Sequence, residues 1–316
     1  DINLNAYIPS ISSDRYDIEL EHLSLRERSG FELSRMRAKT SVGHQGLVVS
    51  DFSIELPRSV FALAPMRLNY DGYSDIPRAL SQTPLKVGTS ARSRIYPPDF
   101  QAFLPALQFI DRPLSLELEL SIGDKSAELG NLSLSDSENG AFALRVRGNA
   151  RKTDDGYEYH IENCTAAIDG EETDILVAPF LKQAQRKFIR TISAQAVSLK
   201  AEGNQDHGKI SLRTDGTAGE LNLDASYYIL PYKSLRLSGR TSFKDLDIGL
   251  ITGKTDLGLV SGKIEGKGRT GRRAECDVKA EISDFFFRGY NYTNIDISAN
   301  LQNSSQLEVR ADVNDP

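Results

Sequence analysis

The sequence predicts an all-β protein, an antiparallel meander, on three observations. Apolar and polar residues alternate with a period of two through nearly the whole chain. The alternating runs are joined by short turn sequences. They number roughly fifteen to seventeen, more than an open twisted sheet usually holds without curling, splitting or flattening. Ser115-Leu-Glu-Leu-Glu-Leu-Ser121 shows the pattern: Leu116, Leu118 and Leu120 share one face, Glu117 and Glu119 the other.

In chain order, alternation predicts strands at 2–8, 16–25, 30–42, 46–56 and 59–70. Further strands follow at 113–122, 125–134, 140–150, 157–169 and 194–202. The last group is 208–214, 219–229, 234–243, 258–268, 274–287, 292–301 and 305–313. Links such as Asp154-Asp-Gly156, Gly203-Asn204 and Asp206-His-Gly208 are too short for a parallel crossover, so neighbouring strands run antiparallel. Three stretches break the alternation. Phe100, Phe103, Leu104, Leu107 and Ile110 have helical spacing, with Pro105 as a kink. Over 173–192, Val177, Leu181, Ala184, Phe188 and Ile192 form an apolar stripe opposite Lys182, Arg186, Lys187 and Arg190. Residues 243–251 suit one or two helical turns.

Strand parity selects the residues of the apolar face. They are Leu116, Leu118, Leu120, Phe142, Leu144, Val146, Ile210, Leu212, Leu221, Leu223, Leu235, Leu237, Val278, Ile282, Ile295, Ile297 and Leu301. Three architectures accommodate them. A closed barrel of this strand number encloses a lumen, which a one-sided apolar pattern does not suit. A two-sheet sandwich buries the apolar faces against each other and is the commoner solution. A trough curled lengthwise leaves them lining a channel.

Charge and motif content narrow the function. The net charge of −6 lacks the basic excess of a broad nucleic-acid surface. Cys164 and Cys276 stand far apart in no CxxC pattern and read as small hydrophobes within strands. His22, His44, His160 and His207 are scattered, so no metal site is expected. Gly249-Leu-Ile-Thr-Gly-Lys-Thr255 is one residue short of a phosphate loop, whose first glycine position holds Ile248. Gly266-Lys-Gly-Arg-Thr-Gly-Arg-Arg273 reads as a solvated basic turn. Asn131, Asn163 and Asn291 match the glycosylation pattern, which arises easily by chance in a chain of this composition. The acidic residues alternate with leucines on wet faces and form no acid–base pair, so no catalytic constellation and no cofactor are expected. No run approaches the roughly 18 apolar residues of a membrane span. Both ends fall within the alternating pattern, which reads as an internal segment of a longer protein.

Several stretches together resemble the TamB members of the AsmA-like family, especially the long forms of Bacteroidetes-type bacteria. They are Leu23-Ser-Leu-Arg-Glu-Arg-Ser-Gly-Phe-Glu-Leu33, Phe103-Leu-Pro-Ala-Leu107 with the strand after it, and Gly208-Lys-Ile-Ser-Leu-Arg-Thr214 with Gly219-Glu-Leu-Asn-Leu-Asp224. A fourth joins 243–251 to Asp256-Leu-Gly-Leu-Val-Ser-Gly-Lys-Ile-Glu-Gly-Lys-Gly268 and Phe286-Phe-Arg-Gly-Tyr-Asn-Tyr-Thr-Asn-Ile-Asp-Ile297. The resemblance covers most of the chain. It implies one elongated, U-shaped β-groove with helical insertions, lying in the periplasm. The apolar inside of that groove would carry phospholipid acyl chains toward the outer membrane. It also implies an inner-membrane anchor and contact with a BamA-type outer-membrane barrel, both outside this segment. The alternative from another class is a periplasmic scaffold or chaperone that pairs exposed sheet edges with client strands.

Overall fold

The computed structural model describes all residues except 13, 110, 137–142, 169–194, 231–233, 272–273, 303 and 316. Among the described residues there are twenty strands, every pairing is antiparallel, and the chain is all-β and not closed into a barrel. Two compact units divide it, Asp1–Lys152 and Thr153–Pro316.

The first unit opens with four long strands, β1 (Ile2–Ile11), β2 (Arg15–Arg26), β3 (Glu32–Gly43) and β4 (Gly46–Glu55). Each pairs with the next, and one apolar row runs Leu4, Leu23, Met36, Ile54 and Phe61 across them. The predicted strand over 59–70 is broken. It forms β5 (Val60–Ala62) and β6 (Met66–Asn69), both against β4, with Pro65 between them. Proline has no N–H for the ladder, which accounts for the interruption. Helix α1 (Ile76–Gln82) and two short strands, β7 (Leu85–Gly88) and β8 (Arg94–Ile95), return the chain to β9 (Leu114–Ile122). The unit closes with β10 (Ser126–Asp136) and β11 (Ala143–Thr153). Helix α1 seats Ala79 against Leu68 and Tyr70, with Leu47, Ile76, Leu80 and Leu85 packed around them.

The helix expected over 97–110 is instead two 3-10 turns, Pro97–Phe100 and Pro105–Phe109. Pro105 breaks the run, because it lacks the N–H that a continuous α-helix would donate to the Gln101 carbonyl. The segment is pinned at Asp99, whose Oδ2 accepts from the backbone N–H of Arg58 (3.1 Å) and of Ser59 (2.6 Å). Farther along, the Phe103 ring meets Phe31, with centroids 5.1 Å apart. Arg112 pairs with Asp136 at 3.1 Å, a carboxylate with no exposed side-chain surface.

The second unit is a meander of nine strands, each paired to its sequence neighbour. They are β12 (Gly156–Ile168), β13 (Gln195–Asn204), β14 (His207–Asp215), β15 (Glu220–Leu230) and β16 (Ser234–Asp247), then β17 (Leu257–Arg269), β18 (Glu275–Phe287), β19 (Tyr290–Gln302) and β20 (Gln306–Val313). The turns expected over 243–251 shrink to one, because β16 continues to Asp247. Helix α2 (Ile248–Thr252) starts where the Asp247 side chain accepts from Leu250 N–H at 2.8 Å. It ends at Gly253, in the left-handed region with φ 70°. The near-match to a phosphate loop is this helical turn. The amphipathic stripe predicted over 173–192 lies outside the described residues.

Candidate functional site

Register fixes which side chains share a face, because directly opposed residues of an antiparallel pair point the same way. In the second unit one row runs Leu199, Leu212, Leu223, Thr241, Ile264, Ala280, Ile297 and Ala311, from β13 to β20. The next row on that face is Ala201, Ile210, Ala225, Gly239, Gly266, Val278, Ala299 and Val309. Between them, on the opposite face, lie Lys200, Ser211, Asp224, Arg240, Glu265, Lys279, Ser298 and Arg310. One face is apolar across eight strands; the other alternates acid, base and hydroxyl. Arg240–Glu265 at 2.5 Å, Lys263–Glu281 at 2.8 Å and Ser211–Asp224 at 2.6 Å tie neighbouring strands on the polar side.

Every residue predicted for this face in the second unit shares it: Ile210, Leu212, Leu221, Leu223, Leu235, Leu237, Val278, Ile282, Ile295, Ile297 and Leu301. None is buried, and Leu237 is 43% exposed and Ile297 36%. A sandwich would have covered them, so within this unit no second sheet lies on the face. Phe243 and Val260 are the large side chains on it that are buried, at 9% and 8%. Cys164 and Cys276 also lie on this face, opposite Leu199 and Gly268. Burial raises the Cys164 thiol above its ordinary range.

In the first unit the predicted residues form two short rows, Leu116–Leu134–Leu144 and Leu118–Leu132–Val146, with Leu120 opposite Leu129. Leu116 is buried, at 7% exposure, while Leu118, Leu120, Leu144 and Val146 are only partly buried. Phe142 lies outside the described residues.

Three features of the face were not anticipated. Gly239, Gly266 and Gly268 leave a hollow of about 470 Å³, walled by Ala225, Leu237, Val278, Cys276 and Leu301. The glycines share parity with Leu237, which is the signal that could have located the hollow. A larger hollow of about 650 Å³ lies on the polar face, but its lining of Lys209, Asp224, Arg240, Glu265 and Lys267 mixes both signs of charge.

The second is a tyrosine bridge. Tyr159, Gly203, Gly208 and Tyr227 are opposed in one row across β12 to β15. The two hydroxyls meet at 2.6 Å, and the Tyr227 ring lies over Gly208, where a Cβ would come within 2.8 Å of it. Tyr227 also donates to the Asn204 carbonyl at 3.4 Å, which leaves Tyr159 as the donor within the pair. The hydrogen bond to Tyr227, with burial behind it, pushes the Tyr159 hydroxyl up to about 12.

The third is an aromatic cluster at the ends of β18 and β19. Phe285 stacks on Phe287 (5.9 Å) and Tyr290 meets Tyr292 edge-on (4.8 Å). Asp315 accepts from the Tyr290 hydroxyl at 2.5 Å, which raises that hydroxyl and lowers the carboxyl.

Among the described residues, no group of three or more His, Cys, Asp or Glu is placed to hold a metal ion. No described helix is long and apolar enough to cross a membrane. Comparison with family models, curated proteins and solved structures finds no match to the chain.

Proposed function

We propose that the apolar face of the second unit is a lipid-bearing surface. In this reading the chain is a segment of a bridge-like conduit that carries phospholipid acyl chains through the periplasm, between inner and outer membranes. One observation carries the reading: four apolar rows span eight strands with no second sheet over them. Measured centre to centre, at strand and residue spacings of about 4.8 and 3.3 Å, the patch is roughly 34 by 20 Å, on the order of 700 Å². The largest apolar patch of an ordinary monomer is about 300–600 Å². Covering such a face with hydrocarbon is favourable by about 25 cal/mol per Å². The TamB-like motifs supply the compartment and the two membranes; an inner-membrane anchor and a BamA-type barrel are partners on the same footing.

A scaffold or chaperone for outer-membrane proteins, pairing exposed strand edges with client strands, is the second reading. A photo-crosslinker at Leu223, and in the first unit at Leu118, separates the two. Phospholipid adducts at Leu223 are expected. Protein adducts alone would transfer the assignment to the chaperone, and no adducts of either kind would defeat both.

A further inference from the structure

We propose that Arg236 and Arg269 form a binding site for a phosphate ester, with Glu275 beside them to hold a cationic group on that ester. The two arginines are directly opposed on β16 and β17, and Glu275 is opposed to Arg269 on β18. All three lie on the polar face, at or near the ends of their strands. With Lys267, Asp277 and Gln302 they line a hollow of about 490 Å³. The site lies on the face opposite the proposed lipid surface and does not rest on that reading.

Elsewhere on this face the sheet sets cations against acids. Arg240 pairs with Glu265 at 2.5 Å, Lys263 with Glu281 at 2.8 Å and Lys267 with Asp277 at 3.7 Å. Arg236 has no such acid. Its neighbours across the sheet are Tyr228 and Arg269, and along its strand Ser234 and Ser238. Among the described residues it makes no side-chain hydrogen bond or ion pair. Arg269 stands opposite Glu275 yet turns toward β16, where its Nε donates to Ser234 Oγ at 3.4 Å. Ser234 is buried, at 6% exposure, and donates in turn to the Thr270 carbonyl. That anchor holds the Arg269 guanidinium on the Arg236 side. Like charges directly opposed across strands destabilise a sheet, and an anion between them removes the cost.

Phosphate is the anion that two guanidiniums fit. One planar fork satisfies both oxygens of a carboxylate, whereas the outward oxygens of a phosphate ester accept from two forks at once. The next residue in the row selects what the phosphate carries. Glu275 makes no ion pair among the described residues. It stands one strand beyond Arg269, about 4.8 Å away along the row, within reach of an ammonium on a short alkyl chain. A second phosphate would instead meet its repulsion. The hollow has the volume of a small-molecule pocket rather than that of a bare ion. The ligand class is therefore an aminoalkyl phosphate, as a soluble ester or as the headgroup of a lipid.

Isothermal titration calorimetry of the 316-residue chain with phosphoethanolamine and with ethyl phosphate tests it. Both should bind saturably, phosphoethanolamine about fivefold tighter through its ion pair with Glu275. Arg236→Ala and Arg269→Ala should each weaken both esters about tenfold, the worth of one charge-assisted hydrogen bond. Arg236→Ala should not lower the Tm of the free chain, since it relieves a pair of opposed like charges. Glu275→Gln should abolish the preference for the amine while ethyl phosphate binds at least as tightly, a difference that no folding defect produces. Flotation with vesicles of phosphatidylcholine and phosphatidylethanolamine separates the two sources. Flotation that falls in Arg236→Ala assigns the phosphate to a lipid headgroup. Soluble binding with flotation absent, or indifferent to Arg236→Ala, assigns it to a free ester. No saturable binding of either ester, binding indifferent to both arginine substitutions, or an amine preference that survives Glu275→Gln would overturn the proposal.

Discussion

Gly266→Val should raise the stability of the second unit and lower its lipid occupancy together. Gly266 sits mid-strand at the floor of the hollow, between Gly239 and Val278 across the sheet. A strand glycine costs about 0.5–1 kcal/mol in backbone entropy relative to alanine, and valine adds β preference. Against this, the new Cβ meets Val278 Cγ2 at 3.3 Å, a contact that relaxes by a few tenths of an ångström. The net gain is about 1 kcal/mol, or about 3 °C in Tm for a unit of this size. The same side chain fills part of the 470 Å³ hollow. Displacing two or three lipid methylenes at about 0.8 kcal/mol each costs about 2 kcal/mol, a roughly 30-fold loss of retained lipid. Thermal unfolding followed by circular dichroism reads the first effect, and mass-spectrometric counting of co-purified phospholipid the second. Raised stability with unchanged lipid would refute the placement of lipid in the hollow. A stability loss above about 1 kcal/mol would refute the premise that the sheet does not need this glycine.

Two further substitutions probe the face itself. Phe243→Ala should destabilise by about 3 kcal/mol in urea titration, because Phe243 is 9% exposed and stands between Leu221 and the bare backbone of Gly262; a loss under about 1 kcal/mol would mean the ring is not packed. Tyr227→Phe should cost about 1 kcal/mol and return Tyr159 from about 12 toward its ordinary 10, read by tyrosinate absorbance. Because the folded state holds this proton more tightly, the contribution is full below pH 10 and disappears as pH rises to about 12. The gap between wild type and variant should therefore close over that window, and a constant gap would count against the bridge.

Much of the fold was legible because alternation survives wherever one face stays apolar. Leu212, Leu223 and Ile297 could be assigned to one face from spacing alone, and the register puts them in one row. What spacing cannot show is where parity slips. Phe285 and Phe287 join the apolar face only because β18 carries an extra residue opposite β17, with the shift between Ser261 and Gly262. Helix α1 was missed because seven residues hold too few turns for a periodic signal, although Ile76, Ala79 and Leu80 have the right spacing. The segment over 97–110 misled because its apolar spacing suited a helix while its prolines dictated short 3-10 turns. The openness of the face lay beyond reach, since identical alternation also builds sandwiches.

The tyrosine bridge changes how the second unit comes apart. A sheet in which each strand touches only its neighbours can fray from an end, one strand at a time, like a zipper. Tyr159 and Tyr227 tie the outer two of four consecutive strands directly to each other. The β13–β14 hairpin beneath that tie cannot lift away on the apolar side until the clasp opens. That clasp adds about 1 kcal/mol to the ladders that already join β12 to β15.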